Sequence, residues 1–381
     1  MDNLTHSLVG LTAAKAGLDK VSPGATTLCI LAANAPDVDV AILLFGDRWT
    51  YLHHHRGITH AMVGVAVLAL LLPLIVHGVD RLWARFRNQP AKTKLRGLML
   101  VSIIVTATHP LLDWTNNYGV RFFLPWSSKW YYGDLVYIID PYLWLILGGA
   151  SFLLSAKTRS GKVIWAVVAV VLTLLVIGVP VSRNIVNTRF LTVVWISAVV
   201  IFIALFALGA SQKFGNKIAF AAFALVLFYW TFLGYAHSRA VANSHAYAST
   251  IVATGEPIYR LAAMPTLASP LHWDSVFETD RATYRFTLRL MSDNFPTTKV
   301  IRYEKPSGPL AEVLEKVSQE RPARIFLGFA RFPVAQLADP HCTTQTLVQL
   351  ADLRYTEPGR RRGTFALELP VDCPTSDEGG R

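Results

Sequence analysis

The segment YLHHHRGITH, residues 51–60, contains four histidines and one arginine within ten positions. Imidazole is a common ligand of divalent transition metals, and guanidinium is a planar donor that pairs with carboxylates and phosphates. His55 and His60 flank the letters RGIT, immediately before an apolar run that begins at Ala61. Taken alone, the segment is equally consistent with a solvated loop. Its interpretation as a metal site therefore depends on carboxylates elsewhere in the chain.

Two other segments supply those carboxylates. TATHPLLDW places His109 and Asp113 four positions apart, so that on a helix both side chains lie on one face and can hold one ion. NAPDVDV offers Asp37 and Asp39 directly after Pro36, a residue type that interrupts helices. Ordinary capping and packing is the alternative for the His109–Asp113 pair alone. The segments together favour a metal site.

The combination of histidine and aspartate side chains indicates which metal ions the site would bind. Imidazole with carboxylate favours zinc, with manganese or iron as alternatives, over calcium and magnesium, which prefer oxygen ligands. More than four candidate ligands indicates one or two ions, and a pair of ions is typical of enzymes that hydrolyse phosphate esters or amides. The predicted cofactor is therefore a divalent metal, with zinc first.

The rest of the sequence indicates that membrane helices hold these residues. The chain of 381 residues is 52% hydrophobic but only 16% charged, against about 25% charged residues in soluble domains. An aspartate near the bilayer centre costs about 2.5–3.5 kcal/mol, a cost that a bound cation offsets. Apolar runs close to the ~20 residues that a helix needs to cross hydrocarbon occupy 61–79, 97–113, 135–155, 163–181, 190–209 and 218–235.

The distribution of charge predicts the topology. The formal net charge is +11, and 11 of the 36 basic residues lie in three short loops between apolar runs, at 81–96, 157–162 and 213–217. Such loops are typically cytoplasmic, which directs the histidine segment and everything after residue 235 to the outer side. Positive charge distributed in this way favours contact with anionic membrane lipid over a nucleic-acid partner. We expect no nucleic-acid binding, and the sequence identifies no protein partner.

Residues 236–381 have more proline and charge and shorter apolar runs than the rest of the chain. Alternation of apolar and polar residues predicts a half-buried strand at 282–290. One apolar face predicts a helix at 310–320, and two further strands are predicted in the segments RIFLGFARF (324–332) and GTFALELPV (363–371).

The predicted fold class is mainly α: a polytopic helical membrane domain over 1–235 and a small C-terminal α+β soluble domain over 236–381. If the second domain lies outside the cytoplasm, Cys342 and Cys373 can form a disulfide. Free thiols are an equally good interpretation of two cysteines in one domain.

Several of these segments resemble one family, the bacterial inner-membrane metal-dependent hydrolases, also described as LexA-regulated membrane-bound hydrolases. The similar segments are DNLTHSLVG, NAPDVD, HHHRGITHA, HPLLDWTNNYGV and YIIDPYLW within about the first 150 residues, and SPLHWDSVFETD at 269–280. The resemblance implies a membrane-embedded metal site and hydrolase activity. By analogy, the helical His/Asp site is also similar to that of zinc-dependent phospholipases C. Carried over by position, the implied metal ligands are His6, Asp37, Asp39, His55, His60, His109 and Asp113.

The function expected from these observations is hydrolysis of a lipid, or of a lipid-like phosphoester or amide, at the outer leaflet. In this hypothesis Arg56 neutralises charge that develops on the substrate, and Asp140 is the general base. His54 is an alternative base or a partner of a ligand, and Thr59 fixes a ligand through its hydroxyl group.

Two other interpretations remain open. The first is a membrane scaffold with a structural metal, whose C-terminal domain binds a partner. The second is a transporter with an ion site at NAPDVD, which the clustering of polar residues near one face disfavours.

Overall fold

The structure is a computed structural model that describes residues 1–182, 188–253, 255–291, 298–339, 341–360 and 363–373. Its helices are α1 (Asn3–Lys15), α2 (Ala25–Asn34), α3 (Arg48–His54), α4 (Met62–Phe86), α5 (Leu95–Trp114), α6 (Pro141–Ser155), α7 (Arg159–Ser182), α8 (Thr188–Ala207), α9 (Ala210–Phe214), α10 (Lys217–Ile251), α11 (Pro309–Ser318) and α12 (Arg321–Phe329). Its strands are β1 (Arg260–Thr266), β2 (Ser269–Glu278), β3 (Ala282–Arg289), β4 (Ile301–Glu304), β5 (Pro333–Leu337), β6 (Gln345–Asp352) and β7 (Ala366–Asp372).

The chain divides into two compact units. The helical unit contains Met1–Val38, Arg56–Tyr235 and Thr266–Pro270. The α+β unit contains Asp39–His55, Ala236–Pro265 and Leu271–Arg381.

Six helical segments are long and apolar enough to cross a membrane, counted over the described residues. They are Ala25–Leu44, Met62–Phe86, Leu95–Trp114, Arg159–Pro180, Thr188–Ala207 and Lys217–Ile251. Helix α6 is apolar but shorter, because Asp140 accepts hydrogen bonds from the amides of Tyr142 and Leu143 and Pro141 occupies the first helical position. The apolar run predicted at 135–155 is therefore helical only from Pro141.

Small side chains let the first helices of the helical unit approach closely. Helix α1 packs on α2 and α6, and α2 packs on α5. A Cβ atom at Gly10 would lie 2.5 Å from the carbonyl oxygen of Cys29, so this crossing of α1 and α2 requires glycine. Leu98, Val101 and Val105 on one face of α5 are fully buried in the same core. Because this face of α5 packs against α2, His109 on the same helix is also buried.

The α+β unit contains two antiparallel sheets with the strand orders β1-β2-β3-β4 and β5-β6-β7. The alternation predicted at 282–290 forms β3, in which Ala282, Tyr284, Phe286 and Leu288 are buried. This sheet region, together with the helical part, confirms the predicted fold class: mainly α, with a small C-terminal α+β part. Cys342 and Cys373 form a disulfide.

One predicted strand in this unit is wrong. The segment RIFLGFARF lies largely in helix α12, in which Ala323, Phe326 and Phe329 are buried. Their spacing of three is that of one helical face, and Pro322 lies in the first turn, where proline favours helix over strand. The other predicted strand, GTFALELPV, contains all of β7 except its last residue.

Residues 39–55 are part of the α+β unit even though they lie far from it in sequence. The Arg321 guanidinium at the start of α12 donates to Asp47 Oδ2 at 3.0 Å and to Thr50 Oγ1 at 2.6 Å. Arg48 of α3 donates to the carbonyl oxygen of Gly363 at 3.2 Å. These contacts hold α3 and the residues before it against the C-terminal part of the α+β unit.

Candidate metal centre

Four of the predicted ligands converge in the helical unit. One ligand atom from each of Asp37, His60, His109 and Asp113 lies within 4.8 Å of the other three. The two Nε2 atoms of His60 and His109 are 3.1 Å apart. Asp113 Oδ2 is 3.2 Å from His60 Nε2 and 3.5 Å from His109 Nε2. Asp37 Oδ1 is 3.4 Å from His60 Nε2 and 3.5 Å from His109 Nε2.

Three parts of the chain bring these atoms together. His109 and Asp113 are one turn apart on the inward face of α5. Asp37 lies in the 3₁₀ helix Ala35–Leu44, which follows α2 at the predicted interruption. His60 lies in the turn before α4, and Gly64 allows this turn to fold onto that helix, because a Cβ there would lie 1.9 Å from the Ile58 carbonyl oxygen.

A hydrogen bond that His109 makes outside the centre determines which of its ring nitrogens can donate an electron pair to an ion. His109 Nδ1 is 2.6 Å from the carbonyl oxygen of Ala33, and a carbonyl can only accept. Nδ1 therefore carries the proton, and in the neutral ring Nε2 presents a lone pair to the cluster. His60 Nδ1 lies 3.1 Å from Thr59 Oγ1, which agrees with the predicted orienting role of Thr59. Such outer hydrogen bonds orient metal-binding histidines.

The distances and the polar environment both fit a bound cation. Ligand atoms 2.0–2.1 Å from a tetrahedral zinc are about 3.3 Å from one another, which matches the separations of 3.1–3.5 Å. Asp113 Oδ2 is buried and accepts no hydrogen bond from a described residue. Instead it faces two imidazole nitrogens, of which His109 Nε2 presents a lone pair in the neutral ring, and a cation between these atoms makes the arrangement favourable.

The other carboxylate oxygen of Asp113 is held by donors. Asp113 Oδ1 lies 3.0 Å from Arg56 Nη2 and also contacts the Met1 amino group. Arg56 is 2% exposed, and its Nη1 donates to the Asp113 carbonyl and to Asn116 Oδ1. Its guanidinium also lies 4.6 Å from the ring centroid of Tyr118. These contacts make Arg56 a residue that positions Asp113.

His6 is a further buried member of this region. Its ring stacks on that of His109 with the centroids 3.7 Å apart, and its Nε2 is 3.3 Å from Asp113 Oδ1. Neither of its ring nitrogens makes a hydrogen bond with a described residue. His6 thus lies beside the centre, but it is not one of the four converging residues.

Three other predicted site residues, Asp39, His55 and His54, are not among the four that converge. Asp39 and His55 belong to the α+β unit, where Asp39 Oδ1 is 3.1 Å from His55 Nδ1. His54 is exposed at the end of α3 and packs edge-on against His53.

Asp140 caps α6 instead of joining the four converging residues. One of its carboxylate oxygens accepts the two backbone amides, and the other accepts the Tyr229 hydroxyl at 2.9 Å. Burial raises the pKa of Asp140 to about 6.

Sequence reasoning missed three contacts that shape the centre: the Ala33 carbonyl, the Asn116 side chain and the Tyr118 ring. Asn116 and Tyr118 lie in WTNNYG, immediately after the HPLLD segment, and polar residues that follow an apolar helix were an available signal. The Ala33 carbonyl has no such signal, because a backbone acceptor leaves no trace in the residue type.

Comparison with known proteins agrees with this location in a membrane. Residues 1–185 match the family described as "YdjM inner membrane protein". The "Inner membrane protein YbcI" of Escherichia coli (strain K12) is 29% identical over 161 residues, which are 41% of this chain and 80% of that relative. No solved structure matches the chain. The match over residues 1–185 confirms, for that part of the chain, the inner-membrane family indicated by the motifs, and together with the six candidate spans it supports a multi-pass inner-membrane location.

Proposed function

We propose that this protein is a membrane-embedded metal-dependent hydrolase. The observation that carries the proposal is the convergence of two imidazole nitrogens and two carboxylate oxygens, of which Asp113 Oδ2 has no hydrogen-bond donor among the described residues. His60, His109, Asp37 and Asp113 would hold the ion. The donor set favours zinc, with manganese or iron as alternatives.

A bound divalent metal would supply a Lewis acid and lower the pKa of a coordinated water toward ~7. The chain's own residues hold and orient the ligands. Ala33 fixes the ring of His109, Thr59 that of His60, and Arg56 the carboxylate of Asp113. Asp37 is 14% exposed whereas His60 and His109 are fully buried. The substrate would therefore approach the ion from the side of Asp37.

The proposed substrate is a lipid or a lipid-like phosphoester or amide, because three of the four ligands lie in candidate membrane spans. We place the reaction at the outer leaflet. Basic loops at 81–96, 157–162 and 213–217 support this orientation. The Cys342–Cys373 disulfide also supports it, because disulfides persist in oxidising compartments.

Asp140 and His54 are not given the catalytic roles predicted from the sequence. The carboxylate of Asp140 is engaged by two amides and a hydroxyl, and His54 is exposed in the α+β unit. The general base in this proposal is instead the second carboxylate oxygen of Asp37, which would bind the ion through Oδ1 and is the most exposed of the four ligands.

The test combines metal analysis with a hydrolysis assay on the full-length protein in detergent. We expect about one equivalent of zinc in the wild type, and loss of both metal and lipid hydrolysis in the double variant His60→Ala/His109→Ala. His245→Ala, which removes an exposed histidine outside the centre, is the matched control. A metal-free wild type, or hydrolysis that survives in the double variant, contradicts the proposal.

A structural metal in a membrane scaffold is the second candidate function, and the number of ligands favours it. Four protein ligands are typical of closed structural zinc sites, whereas catalytic sites keep a position for water. Cobalt substitution separates the two functions. If azide or inorganic phosphate changes the visible spectrum of the Co²⁺ protein, the site has an open position, and an unchanged spectrum favours the scaffold.

A further inference from the structure

A second feature of the helical unit is a groove of about 700 Å³ between α6, α8 and α10. Its lining is apolar over nearly its whole length and follows one face of each helix. Ile146 and Ala150 line it from α6, Ala198 from α8, and Ala221 and Leu225 from α10. The alanines make the groove deep where larger side chains would fill it. Its volume lies within the ~300–1,000 Å³ that is usual for ligand sites.

This groove is separate from the metal centre. Helix α1, which carries His6, contacts α6 through Ser151, whose hydroxyl is 3.1 Å from that of Thr12. Ile146 and Ala150 are on a different face of α6, the one that lines the groove. Occupancy of the groove therefore does not require a ligand at the metal.

One end of the groove is positively charged. Lys217, the first residue of α10, is the charged side chain among the described lining residues, and it forms no ion pair with a described residue. From Lys217 to Phe232, α10 lines the groove for about 22 Å, most of the ~30 Å hydrocarbon thickness. A smaller groove between α6, α7 and α8 also includes one lysine, Lys162, in the first turn of α7.

We propose that the groove between α6, α8 and α10 binds one anionic phospholipid, with an acyl chain along the alanines and the phosphate at Lys217. The length and apolar lining suit a hydrocarbon chain that lies parallel to the helices. Lysine at a membrane surface attracts anionic headgroups, and the amino end of α10 adds positive potential at the same point. The lipid in this site is a bound component of the protein, distinct from any substrate of the metal centre.

Native mass spectrometry of the full-length protein in detergent tests this site. The probes are palmitoyl-oleoyl phosphatidylglycerol and phosphatidylcholine with the same acyl chains. We expect the most tightly bound phosphatidylglycerol molecule to have at least fivefold higher affinity for the protein than the most tightly bound phosphatidylcholine molecule. Lys217→Ala should weaken phosphatidylglycerol binding about fivefold, as expected for removal of one lysine at a headgroup. Lys213→Ala makes the same charge change outside the lining and should leave the affinity unchanged.

A second variant tests the groove itself. Ala221→Trp places an indole where the acyl chain would lie, and it should reduce the number of tightly bound lipids by one. Equal affinity for both lipids, equal effects of Lys213→Ala and Lys217→Ala, or an unchanged lipid number in Ala221→Trp would overturn the proposal. The proposal would also be overturned if the wild type were a dimer that Ala221→Trp dissociated, since the groove would then be an interface between two copies of the chain. None of these readouts depends on metal or on hydrolysis.

Discussion

Each unit contains a buried aspartate paired with a buried arginine, and the two pairs differ in what surrounds the carboxylate. In the α+β unit, Asp352 and Arg354 are fully buried, with Arg354 Nη2 2.7 Å from Asp352 Oδ2. In the helical unit, Asp113 is 1% and Arg56 2% exposed, with Arg56 Nη2 3.0 Å from Asp113 Oδ1. The two pairs are similar in burial and distance, so the difference lies in their other partners.

Both oxygens of Asp352 are surrounded by donors. Oδ1 accepts the backbone amide of Arg354, and Oδ2 accepts the amide of Arg331 and two guanidinium nitrogens. The guanidinium in turn donates to the Phe329 carbonyl and lies 5.0 Å from the ring centroid of Tyr355. A buried pair satisfied in this way needs no additional ion.

Among the described residues, hydrogen-bond donors reach only one oxygen of Asp113. Oδ2 faces His60 Nε2 and His109 Nε2, and the hydrogen bond from His109 Nδ1 to Ala33 leaves a lone pair on the inward nitrogen. The comparison shows that a buried Asp–Arg pair alone does not identify a metal centre. What distinguishes the candidate centre is a carboxylate oxygen that faces imidazole nitrogens and accepts no hydrogen bond from a described residue.

The largest expected effect is on metal content, and it separates the two aspartates directly. Asp113→Ala should reduce bound zinc to below about a tenth of the wild-type level, because it removes a ligand of the ion. Asp352→Ala removes an equally buried carboxylate and should leave the zinc content unchanged. Elemental analysis of both purified variants measures this. Equal zinc content in the two variants would remove the distinction between the pairs.

The second expected effect is on the stability of the α+β unit. Arg354→Ala leaves the Asp352 carboxylate buried without its cation, a change that typically costs about 3–5 kcal/mol. Hydrogen exchange should therefore accelerate in β6 while α5 keeps its wild-type protection. Unchanged protection in β6 would mean that the backbone amides alone stabilise Asp352.

These differences explain how much the sequence could predict. The i, i+4 spacing of His109 and Asp113 and the interruption at Pro36 correctly indicated which segments approach one another, because helical periodicity and proline act locally. The sequence could not divide the predicted ligands between the helical unit, which contains Asp37 and His60, and the α+β unit, which contains Asp39 and His55. Similarly, Phe326 and Phe329 are of a residue type that favours strands, whereas their spacing of three and Pro322 favour the helix α12 that forms.

A third buried aspartate, Asp140, extends the comparison, because its hydrogen-bond donors among the described residues are all neutral. Burial raises the pKa of Asp140 to about 6, so the folded protein binds its proton more tightly than the unfolded chain does. The contribution of Asp140 to stability is then fully present below about pH 4 and is lost as the pH rises to about 6. Asp140→Asn keeps the cap of α6 and removes the titration.

The measurement is thermal unfolding of wild type and Asp140→Asn in detergent between pH 4 and pH 8. We expect similar melting temperatures near pH 4 and a more stable variant above pH 6, by up to about 3 kcal/mol at 1.36 kcal/mol per pKa unit. Titration of the metal ligands is common to both proteins and cancels in the difference. A stability difference that does not change with pH would contradict a raised pKa for Asp140.

The smallest effect is expected at Thr59, which contacts a ligand but not the ion. Thr59→Ala removes the oxygen that lies 3.1 Å from His60 Nδ1, so the ring loses orientation while all four ligands remain. Loss of such a partner typically weakens metal binding about tenfold, which competition with a chromophoric chelator measures. Thr59→Ser keeps the hydroxyl and should bind zinc like the wild type. If serine and alanine weaken binding equally, the threonine acts through packing, and the orientation of His60 must come from the turn that precedes α4.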